Sequence, residues 1–196
     1  GEHRHRLPEK TYKMLCNSLN YQWDFLFKCD DDTFLNWENL LSFLNESKFK
    51  TYEPLYVGSP SEYQLIYEAK KLSYCWGDKL NSFKYAKGGA GYLLSRSSVK
   101  KIINQLMQIH ENKDGHFRFR NKNVINGLFP DEDACVGVAL NKESIKLKVE
   151  DRFFSLAPLK AKRDQGEVIQ SMINKKRITT HYVEPETMRQ IYRLCS

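Results

Sequence analysis

Apolar residues recur along this chain at two spacings, one typical of helices and one typical of strands. A helix is predicted from Pro8, with an apolar face made of Tyr12, Leu15, Cys16 and Leu19. The mostly apolar run at 25–29 predicts a buried strand that stops at three acids. Asn36 then suits the cap of a second helix, whose predicted inward stripe is Trp37, Leu40, Leu41 and Leu44.

The middle of the chain continues with a strand at 55–58 and an aromatic-rich stretch without a clear period. That stretch predicts a loop or an irregular hairpin. The run at 83–94 contains a glycine segment and leads to Ser95 or Ser97 as the cap of a further helix. The inward residues of this helix are expected to be Val99, Ile102, Ile103, Leu106 and Ile109.

Toward the carboxyl end, Asp131 suits the cap of a helix whose apolar face carries Ala134, Cys135, Val138 and Ala139. The alternation of Ile145, Leu147 and Val149 with polar residues predicts a half-buried strand. A basic linker to His181 and a last helix from Pro185 are expected to follow. Strands that alternate with helices predict an α/β class with a mixed sheet, in a single domain over residues 1–196.

The net charge of +7 suggests an anionic partner, which could be a nucleotide, a nucleic acid or an acidic glycan. The basic clusters at 160–163 and 175–177 lack interleaved aromatic residues, so we expect no nucleic-acid partner. The five cysteines include no CxxC pair, which argues against a zinc site. No window approaches the roughly 20 apolar residues of a membrane span, so membrane attachment is expected only through an anchor absent from this chain.

Three consecutive acids, Asp30, Asp31 and Asp32, stand at the end of the first predicted strand. Three adjacent carboxylates repel one another unless a cation or a bound ligand compensates them. Hard divalent cations prefer oxygen ligands and bridge substrate phosphates, so the acids would suit Mg²⁺ or Mn²⁺ held with a nucleotide diphosphate. The alternative is an acidic turn that caps the next helix.

Three features downstream are candidates for the same site, each with a structural alternative. The glycine run at 88–91 is not a P-loop; it brings backbone close to a ligand, or it forms a bulge in a core strand. Asp133 is a candidate general base that Glu132 orients, or it compensates a helix dipole. His181 is a candidate metal ligand, or it is a structural or exposed histidine.

In this order the pieces resemble the β-1,3-glycosyltransferase family that contains the β-1,3-galactosyltransferases, the core-1 galactosyltransferase and Fringe. The resemblance runs from about residue 7 to about residue 194 and rests on four segments. They are KCDDDTF at 28–34, GGAGYLLS at 88–95, EDACVG at 132–137, and His181 followed by Pro185 and Met188. The resemblance implies a GT-A fold, a mixed sheet flanked by helices, with a UDP-sugar donor and a divalent cation, Mn²⁺ or Mg²⁺.

The resemblance also implies roles for individual residues. Asp32 would bind the metal directly, with Asp30 and His181 completing the metal site. Asp30 and Asp31, together with Gly88 and Gly89, would contact the donor. Asp133 would be the catalytic base. Gly91 would help to shape the acceptor pocket, and Trp76 and Tyr85 are the expected acceptor-stacking aromatics.

The expected reaction is the inverting transfer of galactose or an N-acetylhexosamine from a UDP-sugar to a hydroxyl of a glycan or glycoprotein, with a β-1,3 linkage. The expected location is the Golgi or endoplasmic reticulum lumen as part of a type II membrane protein, or the cytoplasm for a bacterial or viral source. Two other functions stay open. One is a non-catalytic carbohydrate-binding or scaffolding domain, and the other is a nuclease that uses clustered acids and Mg²⁺.

One departure from the family pattern concerns the segment before the acids. Family members carry a long segment there, including strands that grip the uracil and the ribose, whereas a much shorter segment precedes Asp30 here. The nucleotide-binding strands are therefore expected to be missing. The chain is then a fragment of a longer enzyme, or it receives those strands from elsewhere, or it is a reduced protein with impaired donor binding.

Overall fold

The computed structural model describes residues 7–64, 82–110, 132–155 and 176–195, together with residues 166, 169, 170 and 172. Helices and groups of strands follow one another along these residues. The helices are α1 (Leu7–Ser18), α2 (Trp37–Ser47), α3 (Arg96–His110), α4 (Glu132–Lys142) and α5 (Pro185–Cys195). The strands are β1 (Phe25–Lys28), β2 (Phe34–Leu35), β3 (Tyr56–Gly58), β4 (Pro60–Gln64), β5 (Ser82–Ala86), β6 (Tyr92–Ser95), β7 (Lys148–Val149), β8 (Phe153–Ser155) and β9 (Thr179–His181).

The largest sheet has the strand order β1-β6-β3-β7. Strand β6 runs antiparallel to both β1 and β3, whereas β3 and β7 are parallel. A second sheet has the order β2-β9-β8, in which β2 is antiparallel and β8 parallel to β9. Strands β4 and β5 form an antiparallel pair. The prediction of an α/β fold with a mixed sheet is therefore confirmed.

The largest sheet has one hydrophobic cluster on each face, because successive side chains of a strand point to opposite sides. On β6, Tyr92 and Leu94 join the cluster under α1, α3 and α4, and Leu93 joins the cluster under α2. On β3, Tyr56 and Val57 divide between the two clusters in the same way. The sheet is thus a central layer with helices packed on both faces.

Strand β1 was predicted to be buried, but it is only half-buried. It lies at one end of the four-stranded sheet. Phe25 and Phe27 pack against the cluster under α2, and Leu26 packs against the opposite cluster. Among the described residues β1 pairs with β6 alone, so its other edge lacks the cover of a second strand.

The predicted caps of α2 and α3 are confirmed. The Asn36 side chain accepts a hydrogen bond from the Asn39 N–H at 3.0 Å. The Ser95 hydroxyl accepts one from the Ser98 N–H at 3.2 Å. Each cap satisfies an N–H group that has no partner within its own helix.

The predicted inward stripe of α2 is partly wrong. Leu40 and Phe43 are buried, whereas Trp37 and Leu41 are exposed. Each residue advances an α-helix by about 100°. Once Phe43 faces the sheet together with Leu40, Leu41 is turned out of the stripe.

Helix α4 was predicted to be apolar on one face, but it is buried on all sides from Ala134 to Leu140. It contacts α1, α3 and β5, so several elements cover its surface. Gly137 allows the closest of these contacts, because a Cβ atom there would overlap the Tyr85 Cβ. A helix surrounded in this way has no outward face to carry polar residues.

The segments on either side of the 156–165 gap also differ from the sequence prediction. The predicted strand at 145–149 is reduced to β7, in which both residues are exposed. Strand β8 was not predicted, and His181 lies in β9 instead of following a linker. Strands of three residues whose partners lie elsewhere in the chain have too short a pattern to be read locally.

No helix in the described ranges combines the length and the apolar character that crossing a membrane requires.

Candidate metal and catalytic site

The three consecutive acids form the turn between β1 and β2. The Thr33 N–H donates to the Asp30 carbonyl at 3.2 Å, which closes the turn. The Thr33 hydroxyl donates to the Gly89 carbonyl at 2.6 Å, and the Val183 N–H donates to the Asp32 carbonyl at 2.9 Å. The turn is therefore fixed to the glycine run on one side and to the segment after β9 on the other.

Asp30, Asp32 and His181 come together as the sequence analysis predicted. Each offers one ligand atom, and these atoms lie within 4.8 Å of one another. The His181 Nε2 lies 3.0 Å from the Asp32 Oδ1 and 3.8 Å from the Asp30 Oδ2. Asp31 is exposed and stands outside this group.

The donor atoms of this group fit a hard divalent cation. Two carboxylates and one imidazole suit Mn²⁺, and Mg²⁺ accepts the carboxylates readily. The Asp30 and Asp32 side chains are 42% and 44% exposed, whereas the His181 side chain is 9% exposed. The group is thus anchored on the histidine side and open on the carboxylate side, where water or a phosphate oxygen could supply further ligands.

The imidazole of His181 is held in place from three directions. The Tyr182 ring stacks on it at 3.6 Å between centroids, and Tyr182 has a φ of 62°, which is uncommon for a non-glycine residue. The Ser155 hydroxyl lies 3.4 Å from Nδ1. A Cβ atom on Gly89 would overlap the ring, so only glycine leaves room for it.

Burial lowers the pKa of His181, although the Asp32 and Asp30 carboxylates oppose this effect. Desolvation disfavours the charged form of a base, so the neutral imidazole is favoured. With Nδ1 directed to Ser155, Nε2 faces the two carboxylates as a possible ligand atom.

Lys28 lies between the acidic turn and α4. Its Nζ donates to the Asp30 Oδ1 at 2.8 Å and to the Glu132 Oε1 at 2.5 Å. The Lys28 and Glu132 side chains are only 11% and 10% exposed. Burial lowers the pKa of Lys28, but the Glu132 and Asp30 carboxylates outweigh it and raise the pKa above its ordinary value. The ammonium is therefore a permanent charge of the site.

Asp133 is half-buried in the first turn of α4 and faces the glycine run. Its Oδ2 accepts a hydrogen bond from the Gly88 N–H at 2.8 Å, and its Oδ1 accepts one from the Ala134 N–H at 2.7 Å. A carboxylate oxygen has two lone pairs and can accept more than one hydrogen bond. Glu132 contacts Lys28. Its predicted role of orienting Asp133 would therefore be exercised through the backbone of α4.

The glycine run brings these groups together. A Cβ atom on Gly88 would lie 2.6 Å from the Glu132 Oε1 and 3.2 Å from the Lys28 Nζ. Gly91 has a φ of +86°, and its missing side chain makes room for the Phe27 ring. The space at Gly91 is thus filled by β1, which gives this glycine a packing function beside its predicted place in the acceptor pocket.

The predicted acceptor-stacking residues are not supported as a pair. Tyr85 is 7% exposed and belongs to the core beneath α4, so its ring is not open for stacking on a sugar. The prediction failed because Tyr85 lies on β5, directly against Gly137 of α4. Trp76 lies outside the described residues.

Four site residues were missed by the sequence analysis: Lys28, Thr33, Ser155 and Tyr182. A lysine two positions before an acidic run is the signal that could have identified Lys28, since such a run needs compensating charge. Thr33, Ser155 and Tyr182 act on partners far away in sequence or through backbone conformation. No local pattern distinguishes them from ordinary polar or aromatic residues.

Comparison with known proteins gives a family match over nearly the whole chain. A family model described as Fringe-like matches residues 2–186. The human N-acetyllactosaminide beta-1,3-N-acetylglucosaminyltransferase 2 is 26% identical to the chain over 121 residues, and its mouse counterpart is 25% identical over the same length. The aligned region covers 61% of this chain and 26% of each relative, so the chain spans about a quarter of the length of these curated relatives.

Proposed function

The chain belongs to the Fringe-like family, and from this membership we propose that it is the metal-binding and acceptor-binding part of an inverting glycosyltransferase. The proposed donor is a UDP-sugar carrying galactose or an N-acetylhexosamine. The proposed acceptor is a hydroxyl of a glycan or glycoprotein, with a β-1,3 linkage in the product. The names of the human and mouse relatives, which describe β-1,3 transfer of N-acetylglucosamine, support this choice.

One observation carries the proposal. The group formed by Asp30, Asp32 and His181 and the carboxylate of Asp133 both lie against the same glycine run. Gly89 contacts His181, and Gly88 contacts Asp133. We call Asp30, Asp32 and His181 the cation group, because together they could hold a metal ion. The cation group and a candidate base on adjacent glycines supply the two components that an inverting transfer from a nucleotide-sugar needs.

Asp30, Asp32 and His181 would hold Mn²⁺ or Mg²⁺, and the bound cation would stabilise the charge that develops on the diphosphate leaving group. Asp31, exposed beside this group, is the proposed contact to the ribose of the donor. The buried histidine fixes the position of the group, and the exposed carboxylates leave access for the diphosphate.

Asp133 is the proposed general base. Its carboxylate takes the proton of the acceptor hydroxyl while the hydroxyl oxygen forms a bond to the anomeric carbon of the sugar. The bond from that carbon to the diphosphate breaks on the opposite face, so one displacement inverts the configuration. The position in the first turn of α4 favours the ionised carboxylate, because the positive end of the helix dipole lies there.

The test of this proposal is Asp133→Asn. The amide keeps one oxygen to accept the Gly88 hydrogen bond but accepts no proton, so transfer from a panel of UDP-sugars should fall by about 10²-fold or more. Mn²⁺ affinity measured by calorimetry should stay close to that of the wild type. Asp151→Asn, which removes an exposed carboxylate from the turn before β8, is the matched control and should leave both unchanged.

Two outcomes would count against the proposal. Substantial transfer by Asp133→Asn would remove Asp133 as the base. A wild-type chain that binds glycans and shows neither Mn²⁺ binding nor transfer would favour the non-catalytic carbohydrate-binding alternative.

A location in the Golgi or endoplasmic reticulum lumen is likewise proposed from the family relationship.

A further inference from the structure

Lys28 connects two parts of the site that lie far apart in sequence. Its ammonium group contacts Asp30 in the acidic turn and Glu132 at the start of α4. Glu132 is the residue immediately before Asp133. One side chain therefore joins the cation group to the helix turn that carries the candidate base.

The two contacts of Lys28 differ in their surroundings. Glu132 is buried, so without Lys28 its carboxylate would stay in the protein interior without that charge partner. Removing one member of a buried ion pair is costly, and the start of α4 would have to move to expose the carboxylate to water. Asp30 is much more exposed, and loss of Lys28 would mainly free one of its oxygens.

The two oxygens of the Asp30 carboxylate face different partners. Its Oδ1 accepts a hydrogen bond from the Lys28 ammonium, and its Oδ2 faces His181, with which it could hold a metal. A metal ion in the cation group would share Asp30 with the ammonium. Two like charges on one carboxylate repel each other, so Lys28 opposes cation binding.

We propose that Lys28 is a positioning residue that tethers the cation group to the start of α4. Through its ion pair with Asp30, the same lysine weakens cation binding. Its catalytic consequence rests on the proposed function. The tether would keep Asp133 aligned with a donor bound at the cation group, and it would lower the affinity of that group for the metal. Replacing Lys28 should therefore strengthen metal binding and slow transfer. A purely structural role would weaken both.

The test compares Lys28→Met with Lys28→Arg in the 196-residue chain. Without metal, amide hydrogen exchange at residues 132–136 should be faster by roughly fivefold or more in Lys28→Met and close to that of the wild type in Lys28→Arg. Mn²⁺ should bind Lys28→Met about threefold or more tighter by calorimetry. Transfer should have a kcat lower by about tenfold or more, with a smaller change in the KM of the donor.

Lys13→Met is the matched control, because it removes an exposed lysine paired with Glu9 at 2.8 Å on α1. It should leave all three measurements unchanged. If Lys28→Met does not fold, Lys28→Met/Glu132→Gln removes both buried charges. In that variant the tighter Mn²⁺ binding should persist, because Asp30 is still released from the ammonium.

Exchange at 132–136 and Mn²⁺ affinity that both match the wild type would overturn the inference. So would Mn²⁺ binding that weakens together with transfer. Failure of the proposed function has a different signature. A wild-type protein that binds the UDP-sugar donor and shows no transfer would contradict the enzyme assignment, whereas the exchange and Mn²⁺ measurements would still support or overturn the role of Lys28.

Discussion

Gly88 and Gly89 set how closely the two sides of the site approach each other. The missing side chain of Gly89 is replaced by the His181 imidazole, and that of Gly88 by the Lys28 and Glu132 charged groups. The sequence predicted that this run lets backbone approach a ligand. The structure adds that the side chains approaching these glycines are the candidate site residues themselves.

Gly89→Ala should displace the His181 imidazole, because the added methyl group would overlap the ring. The expected result is a Mn²⁺ affinity lower by about tenfold, since a misplaced ligand typically costs a metal site 10–100-fold. Overpacking should also lower the free energy of unfolding by about 1–3 kcal/mol. Calorimetry with Mn²⁺ and urea unfolding measure the two effects.

Gly58→Ala is the control for this prediction. Its added Cβ would lie 2.5 Å from the Ala86 Cβ, and its three nearest neighbours do not include Asp30, Asp32 or His181, so it should lose stability and keep its Mn²⁺ affinity. Unchanged Mn²⁺ binding in Gly89→Ala would show that the imidazole position is not set by this glycine.

The sequence indicated some of the site residues and not others for physical reasons. Asp30 and Asp32 stood out because repelling carboxylates in a row need compensation. Lys28 did not, because a single lysine beside acids is usually part of a solvated surface. Tyr85 was expected to stack on a sugar, and its burial against Gly137 shows that it is a core residue.

At the scale of elements, the features set by local chemistry were predicted correctly. The caps at Asn36 and Ser95 depend on residues within the first helical turn. The complete burial of α4 and the placement of His181 in β9 depend on partners many residues away. A hydrophobic pattern predicts whether a segment is a helix or a strand, because each has its own period. It does not predict how many other elements will pack against that segment.

Glu150 and Arg152 form a hydrogen-bonded pair in the turn between β7 and β8. Strand β8 lies beside β9, which contains His181. The Glu150 carboxylate accepts from the Arg152 N–H at 3.1 Å and from Arg152 Nε at 2.9 Å. Burial acts to raise the pKa of Glu150, but the contacts with Arg152 prevail and lower it below its ordinary value of 4.5. The folded state therefore binds this proton more weakly than the unfolded state does.

The stability that Glu150 contributes should be present above about pH 4.5 and lost as the pH falls through the lowered pKa. Glu150→Gln keeps the shape and removes the charge. The difference in unfolding free energy between wild type and Glu150→Gln should be roughly 0.2–1 kcal/mol at pH 7 and shrink toward pH 3. Thermal unfolding across this pH range measures it.

A difference between the two proteins that is constant with pH would contradict the Glu150 prediction. Glu53→Gln is the control, because the pair of Glu53 with Lys50 at 3.3 Å is exposed on both sides. Its unfolding free energy at pH 7 should stay within about 0.5 kcal/mol of the wild type.

At the scale of the whole molecule, the site lies where four distant segments meet. They are the turn after β1, the glycine run before β6, the start of α4 and the end of β9. The order of these segments can be read from the sequence, and their resemblance to one family predicted that they would converge. The positions of the segments in space depend on two sheets packed together, which no single segment encodes.

The central claim is that Asp30, Asp32 and His181 together bind a divalent cation. The most direct test is calorimetric titration of Mn²⁺ into the 196-residue chain and into Asp32→Ala, His181→Ala and Asp151→Ala. We expect a single Mn²⁺ site in the wild type and in Asp151→Ala, with affinity lower by about tenfold or more in Asp32→Ala and His181→Ala. Equal Mn²⁺ affinity in all four proteins would contradict this assignment of the cation ligands.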